Sequence, residues 1–330
     1  MELPNKLLIL TLIPICIVTG SKVTAQSSKP IYPHAELIAT QKKFRLNPKS
    51  SLVSRLAKTP DDVMAIFRQA GMSPTDHKMT SDEMRILSEA IAVLPPLHRH
   101  VLKQHLKSIS FVDNMPNTAI TAPVTEDSAT KLYHIAFRAG ILHQTISEWV
   151  TEKEISCYTR RDSTFSVSIN AGLMSALTYL LLHEGTHVVD GSLGLLSTDT
   201  IAGRPVHNQF RANFSKNTWS DMRTHIWPFP DSLVVKNIFR PRGRRFDLTE
   251  AERVYMGLSQ TTFISLYGSA SWHEDLAELL TIYHLTKMRN QPFQVIVRKN
   301  GNEIFRYEPV SSPAVMRRFP QLDFFYRNTG

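Results

Sequence analysis

Apolar residues recur at helical spacing in three stretches near the N-terminus of the chain. The first begins at Pro60 and ends near Gly71. The second opens with Thr80 and Glu83, which have the spacing of a capping box. A pair of prolines then ends the second stretch and starts the third. We therefore predict a helical N-terminal region over residues 59–107.

Three histidines fall on the third of these predicted helices. No two of them are four residues apart, so they do not form the pair of ligands that a helix can present to a metal ion. We expect this helix to have a wet, basic face that carries His98, His100 and His105.

The apolar pattern changes towards alternation from Ser108 onwards. Strands are predicted at three places, residues 108–112, 132–137 and 165–169. Two further strands flank Asn300-Gly301, a dipeptide typical of a hairpin. Strands mixed with helices predict an α+β fold with a small mixed sheet, and we assign residues 108–330 to one domain.

The strand at residues 165–169 runs directly into the most apolar stretch of the chain, which we predict to be a buried helix. We expect Asn170 to cap this helix and Asp190-Gly191 to end it. A small sheet beside the helix would present an edge, and an extended peptide could add to that edge by main-chain hydrogen bonds.

The first 25 residues have the order of a secretory signal peptide. Lys6 precedes an apolar run at residues 7–18, and small residues precede a possible cleavage site before Gln26. The run is short for a bilayer span, although an uncleaved anchor remains an alternative. We expect a secreted or periplasmic protein with no stable membrane span after signal removal. Residues 26–58 are expected to form a poorly ordered lead-in.

The composition is that of a globular protein, with 42% hydrophobic and 20% charged residues, which excludes an intrinsically disordered chain. The net charge of +9 favours anionic partners. The densest basic run, residues 240–245, has no aromatic interleaving, so we expect a solvated loop and no nucleic-acid partner. After the signal peptide only Cys157 remains, and we expect this cysteine to be buried without a disulfide.

The apolar stretch after the third strand contains the sequence His-Glu-Gly-Thr-His, an HExxH pattern. On a helix His183 and His187 lie on one face, where two imidazoles can bind one zinc ion. Glu184 follows the first histidine, and its carboxylate can take a proton from a water that attacks a carbonyl. The pattern also arises by chance in unrelated chains. Here it lies in a strongly apolar helix, where three ionisable groups would not be buried without a function.

A catalytic zinc site needs a third protein ligand, which the chain downstream must supply. Ser271 can cap a helix that contains Glu274 and Glu278, four residues apart and on one face. One of the two carboxylates could bind the metal while the other accepts a hydrogen bond from a ligand imidazole. The alternative is an ordinary helix with an acidic first turn, which the helix dipole favours.

The two motifs together resemble the metallopeptidase domain of anthrax lethal factor and related secreted zinc peptidases of the gluzincin type. The similarity comprises HEGTHVVD, beginning at His183, and YGSASWHEDLAE, which contains Glu274. It implies a zincin-like domain in which His183, His187 and Glu274 bind zinc and Glu184 is the general base.

The resemblance also implies roles for three residues around the ligands. Tyr267, seven residues before the glutamate ligand, would be the phenol that stabilises the oxyanion. Glu278 and Asp190 would lie beside the ligands and orient them. The resemblance covers the two motifs and the order strand, helix, insertion, helix, and it does not extend to the N-terminal helices.

These observations predict a secreted zinc metallopeptidase that hydrolyses a peptide or protein substrate with a zinc-activated water. One alternative is a non-catalytic, zinc-stabilised binding protein or degenerate peptidase relative. Glu184 argues against it, because a structural zinc site is usually closed by four ligands and needs no base. Another alternative is a polyanion-binding surface protein that uses residues 240–245.

Overall fold

The structure is a computed structural model that describes residues 34–124, 130–159, 162–198, 200–201, 204–205, 208–226 and 233–326. The predicted signal peptide lies outside the described residues, as does the start of the predicted lead-in. In the described part of the chain, no helix has both the length and the apolar character needed to cross a membrane.

Helices and short strands alternate along the described chain. The α-helices are α1 (His34–Lys43), α2 (Asp61–Gln69), α3 (Ser81–Ala92), α4 (Pro96–His105), α5 (Ile146–Ile155), α6 (Ala176–Leu193), α7 (Gln209–Ser215), α8 (Ala251–Ser259), α9 (Trp272–Tyr283) and α10 (Pro313–Met316). The strands are β1 (Thr75–Asp76), β2 (Leu106–Asp113), β3 (Ala119–Pro123), β4 (Tyr133–Arg138), β5 (Tyr158–Thr159), β6 (Phe165–Asn170), β7 (Thr200–Ile201), β8 (Arg204–Pro205), β9 (Phe246–Asp247), β10 (Gln294–Lys299) and β11 (Asn302–Tyr307). This mixture with small sheets is compatible with the predicted α+β class.

The three predicted N-terminal helices form at the expected places, as α2, α3 and α4. Thr80 and Glu83 form the predicted capping box: the Glu83 N–H donates to Thr80 Oγ1 at 3.3 Å, and the Thr80 N–H donates to Glu83 Oε2 at 2.7 Å. Gly71, just after α2, has a φ of +80°, which glycine adopts without strain. Helices α3 and α4 pack against α6.

The prediction of a poorly ordered lead-in was wrong for residues 34–58. Helix α1 forms near the start of this segment, and the side chain of Leu52 is buried. The buried Arg55 guanidinium donates to the carbonyls of Leu102 and Lys103 in α4, at 2.8 and 2.7 Å. Carbonyls at a helix C-terminus are short of intrahelical donors, so these bonds tie the segment to α4. A long-range polar contact thus orders a segment whose local pattern is weak.

The largest sheet has four strands in the order β1-β2-β4-β3. Strands β2 and β4 are parallel, whereas the other pairs are antiparallel, so the sheet is mixed as predicted. Strand β3, which the sequence pattern did not indicate, lies at one edge of this sheet and packs against α6.

The strand predicted at residues 165–169 forms as β6, but it does not lie in the mixed sheet. It pairs with β10 in an antiparallel sheet of order β11-β10-β6, and it packs against α5. The predicted hairpin forms as β10 and β11 with its turn at Asn300-Gly301. Strand β6 thus belongs to a separate sheet with this hairpin. The strand that packs against the HExxH helix is β3.

Helix α6 carries the HExxH sequence, and nearly all of its side chains are buried. Such burial requires neighbours on every face. Helices α3, α4, α5 and α9 and strand β3 all contact α6.

Both predicted ends of α6 were wrong. Ser175 caps the helix, because Asn170 is still paired with β10. The helix continues through Gly191 and ends at Gly194, which has a left-handed φ of +60°. A Cβ atom on Gly191 would lie 2.2 Å from the hydroxyl of Tyr133 in β4. Gly191 therefore allows close packing of helix on sheet and does not end the helix.

One cluster of buried apolar side chains runs through both parts of the chain. It contains Leu87 and Leu102 from the N-terminal helices, Leu181 from α6 and Phe325 near the C-terminus. Cys157 is fully buried in the same cluster, as predicted. The N-terminal helical region and residues 108–326 therefore share a hydrophobic core.

Candidate metal centre

Helix α6 presents His183 and His187 on one face. The two residues are one turn apart, as the i, i+4 spacing predicts, and their Nε2 atoms lie 3.2 Å apart. Both side chains are more than nine-tenths buried. The helix thus brings two potential metal ligands together in the interior of the protein.

Helix α9 supplies Glu274 from its first turn. The hydroxyl of Ser271 caps this helix and accepts a hydrogen bond from the Glu274 N–H at 3.3 Å. Glu274 Oε2 lies 3.1 Å from His183 Nε2 and 3.4 Å from His187 Nε2. Of the two glutamates on this face of α9, Glu274 is therefore the one that faces both histidines.

The three facing atoms form a small triangle that could hold a metal ion. Among the residues that the structure describes, no other group of three histidine, cysteine, aspartate or glutamate side chains has this arrangement. Burial raises the pKa of Glu274, but the imidazoles of His187 and His183 outweigh burial and hold this pKa well below its usual range. Glu274 is therefore ionised, as a metal ligand must be.

Glu278 lies on the other side of the His183 ring. Its Oε1 is 3.1 Å from His183 Nδ1 in a bent approach, so we treat the contact as an ion pair and not as an aligned hydrogen bond. Burial lowers the pKa of His183, but the contacts with Glu274 and Glu278 outweigh burial and raise it to about 9. When a metal replaces the proton on Nε2, the carboxylate at Nδ1 favours the neutral ring form that keeps its proton on Nδ1.

Glu184 is held by the mixed sheet. Thr121 Oγ1, on the edge strand β3, donates to Glu184 Oε2 at 2.6 Å. The Glu184 side chain is therefore fixed beside the histidine that precedes it in α6. Sequence reasoning missed Thr121, because the short segment that forms β3 has only weak alternation.

The seven-residue spacing places Tyr267 at the metal centre. Its ring stacks on the His183 imidazole, with centroids 5.7 Å apart and an interplanar angle of 24°. Burial, together with the charges of Glu274 and Glu184, raises the pKa of Tyr267 well above its ordinary value. The phenol therefore stays protonated and remains a hydrogen-bond donor.

The resemblance implies that Asp190 lies beside the ligands, but in the structure Asp190 contacts His273, the neighbour of Glu274. Its Oδ2 is 2.5 Å from His273 Nδ1, and its Oδ1 accepts the N–H of Leu196 at 2.9 Å. His273 directly precedes Glu274 in α9. Asp190 thus joins the end of α6 to the start of α9.

The expectation that α4 has a wet, basic face was wrong for two of its three histidines. His98 and His105 are buried, and only His100 is exposed. His98 Nε2 lies 3.0 Å from the Thr186 hydroxyl, which itself donates to a carbonyl of α6, so His98 is the donor. A Cβ atom on Gly185 would lie 3.1 Å from the His98 ring. The two middle residues of the HExxH sequence therefore form packing contacts with α4.

The basic run at residues 240–245 is not the fully solvated loop that we expected. The half-buried guanidinium of Arg240 donates to the carbonyl of Ser269, in the turn that leads into α9. Arg244 pairs with Glu250 at 2.8 Å. Part of the run thus supports the turn before the candidate metal ligand.

Comparisons of the chain with protein-family models, curated proteins and solved structures found no match.

Proposed function

We propose that the protein is an exported zinc metallopeptidase with a zincin-like domain. The observation that carries this proposal is the buried triangle of His183, His187 and Glu274, with Glu184 fixed beside it. The mixed sheet, its edge strand β3 and the pair α6 and α9 support the zincin-like arrangement.

The donor set fits zinc. A tetrahedral zinc ion with bonds of about 2.0–2.2 Å holds its ligand atoms roughly 3.3–3.6 Å apart. The corresponding distances among His183, His187 and Glu274 are 3.1, 3.2 and 3.4 Å, so a shift of about 0.2 Å brings all three into this range. Two imidazole nitrogens and one carboxylate oxygen also leave a position for water, as catalytic zinc sites require. When bound, zinc would polarise the water and the substrate carbonyl.

The side chains around the triangle support a hydrolytic mechanism. Glu184 takes the proton that water loses as its oxygen attacks the carbonyl carbon, and it delivers this proton to the leaving amine nitrogen. Thr121 keeps the Glu184 carboxylate in place for both transfers. Tyr267 donates to the carbonyl oxygen as negative charge develops on it.

An extended peptide is the substrate class that this site favours. Among the described strands, β3 pairs with β4 on one side, and its other edge has no strand partner. A peptide that adds to this edge by main-chain hydrogen bonds would lie along the strand that carries Thr121. Its scissile carbonyl would then pass Glu184.

Glu184→Gln tests the proposal, because the amide is nearly isosteric and cannot accept a proton. We expect wild-type protein to cleave members of a peptide library, and we expect a chelator to abolish cleavage. Glu184→Gln should retain zinc but lose cleavage. The exposed surface residue Glu89 provides the control variant Glu89→Gln, which should cleave normally. Wild-type rates in Glu184→Gln, or no chelator-sensitive cleavage by any preparation, would contradict the proposal.

A further inference from the structure

A buried lysine lies behind the candidate metal centre. Lys153 belongs to α5, which carries neither of the two motifs, and its side chain is only 7% exposed. Its Nζ is 3.1 Å from Glu278 Oε1 and 4.2 Å from the centroid of the Tyr267 ring. Lys153 thus contacts the partner of His183 and the proposed oxyanion donor at the same time.

Such a cation is costly to bury. An ammonium group loses its hydration on burial, and an ion pair offsets this loss only when the geometry is good and further hydrogen bonds are present. Apolar residues of similar volume often serve stability as well as a buried ion pair does. The presence of a buried lysine at this place therefore points to a role in the centre it adjoins.

The contacts of Glu278 show what this role is. Glu278 Oε1 accepts from Lys153 at 3.1 Å and from the Tyr179 hydroxyl at 2.8 Å, while Oε2 accepts from the Ser265 hydroxyl at 2.7 Å. These three donors fix the Glu278 carboxylate beside His183 Nδ1, from which its Oε1 is 3.1 Å away.

The second contact of Lys153 concerns the aromatic ring of Tyr267. The distance of 4.2 Å is well within the range of a cation–π interaction. The same ring contacts His183, which stacks on it, and Phe239, which meets it edge-on with centroids 4.9 Å apart. Lys153 thus packs on the same ring as the metal-ligand candidate His183.

We propose that Lys153 is a positioning residue for the metal centre. Its ammonium keeps Glu278 in place as the ion-pair partner at His183 Nδ1, which directs His183 Nε2 at the metal, and it holds the ring of Tyr267 against His183. The metal-binding half of this inference depends only on the ligand triangle, whereas the half that concerns Tyr267 rests on the proposed peptidase function.

Lys153→Met tests the inference, because it keeps the length of the side chain and removes the charge. We expect the zinc dissociation constant, measured by competition with a chelator, to rise roughly 10- to 100-fold, as is usual when the partner of a ligand imidazole is disturbed. Lys299→Met is the matched control: Lys299 also lies over an aromatic ring, that of Phe165, but it is exposed at the end of β10. Its zinc affinity should equal that of the wild type. An unchanged dissociation constant in Lys153→Met would overturn the inference.

A double-mutant comparison separates positioning from a general effect on stability. If Lys153 acts through Glu278, then Lys153→Met should weaken zinc binding no further in a Glu278→Gln background. The double variant removes both buried charges together, so it also serves if Lys153→Met alone is too unstable to titrate. A further loss of affinity in the double variant would overturn the inference. Because these measurements need no substrate, a protein that lacks peptidase activity would contradict the proposed function and leave this test intact.

Discussion

The side chains at the candidate centre are held by neighbours that restrict how each can act. His183 has a carboxylate oxygen 3.1 Å from each of its ring nitrogens. One oxygen of Glu184 is bound by Thr121, and the ring of Tyr267 is stacked on His183. Functional side chains act efficiently when surrounding contacts hold them in place. At the scale of single residues, the consequences of losing these contacts can be predicted.

Tyr267→Phe should lower kcat with KM nearly unchanged. The phenol meets little charge on the ground-state carbonyl, and it matters once the oxyanion forms. Loss of one oxyanion donor typically lowers the rate roughly 10²- to 10³-fold. Steady-state kinetics on a cleaved peptide would measure the change. Zinc content should be unaffected, since Tyr267 is not a proposed ligand, and a native kcat in this variant would mean that the donor lies elsewhere.

Thr121→Val should lower kcat by about tenfold, since a hydrogen bond to a charged group is worth roughly 1.5–3 kcal/mol and water replaces part of it. The valine has nearly the same shape but cannot donate to Glu184. Thr121→Ser, which restores a hydroxyl, should recover most of the rate. Equal kcat values for the valine and serine variants would show that Thr121 does not position the base.

At the scale of elements, α6 is placed by a close approach to the sheet. Gly191 lies in the helix against the hydroxyl of Tyr133, where no side chain fits. Helix α6 therefore sits near enough to β4 and β3 for Thr121 to reach Glu184. The sequence predicted that Gly191 ends the helix, whereas in the structure Gly191 sets the distance between the helix and the sheet.

Gly191→Ala should destabilise the protein by about 1–3 kcal/mol, because the added Cβ overpacks a filled site. Equilibrium unfolding in urea would measure this loss. Removing the obstructing hydroxyl with Tyr133→Phe should restore part of the stability in the double variant. Gly140→Ala is the control, because a Cβ there meets nothing within 4 Å. Equal effects of the two alanine substitutions would contradict the packing argument.

At the scale of the whole molecule, the proposed ligands come from helices that are far apart in the chain. His183 and His187 belong to α6 and Glu274 to α9, and a bound ion would link the two helices. The apolar core extends well beyond this link, from the N-terminal helices to Phe325. The metal should therefore stabilise the fold without being required for it.

Removing the metal should lower the melting temperature while the protein stays folded. Zinc at 100 times its dissociation constant would stabilise the native state by about 2.7 kcal/mol. Circular dichroism melts with zinc and with a chelator would show the difference. Glu274→Ala should lose both the bound zinc and the shift, whereas the exposed His100→Ala should keep both. Full zinc content in Glu274→Ala would refute its assignment as a ligand.

Features that depend on neighbours in the chain could be predicted from the sequence alone. The shared face of His183 and His187, the Ser271 cap before Glu274 and the turn at Asn300-Gly301 follow from helical spacing, side-chain capping and turn geometry. Each acts over a few residues, so local sequence is sufficient to determine it.

Contacts between distant parts of the chain were decided by the tertiary structure. The burial of His98 depends on α4 packing against Gly185, and the hold on Glu184 depends on Thr121 in a strand that the sequence pattern did not indicate. Lys153, which reads as a polar helical residue, is buried because Glu278 and Tyr267 come together around it. The sequence by itself therefore determined the two candidate histidine ligands and their spacing, and it left Glu274 and Glu278 as candidates for the third ligand. Long-range packing determined what holds them, because such contacts join segments with no local pattern in common.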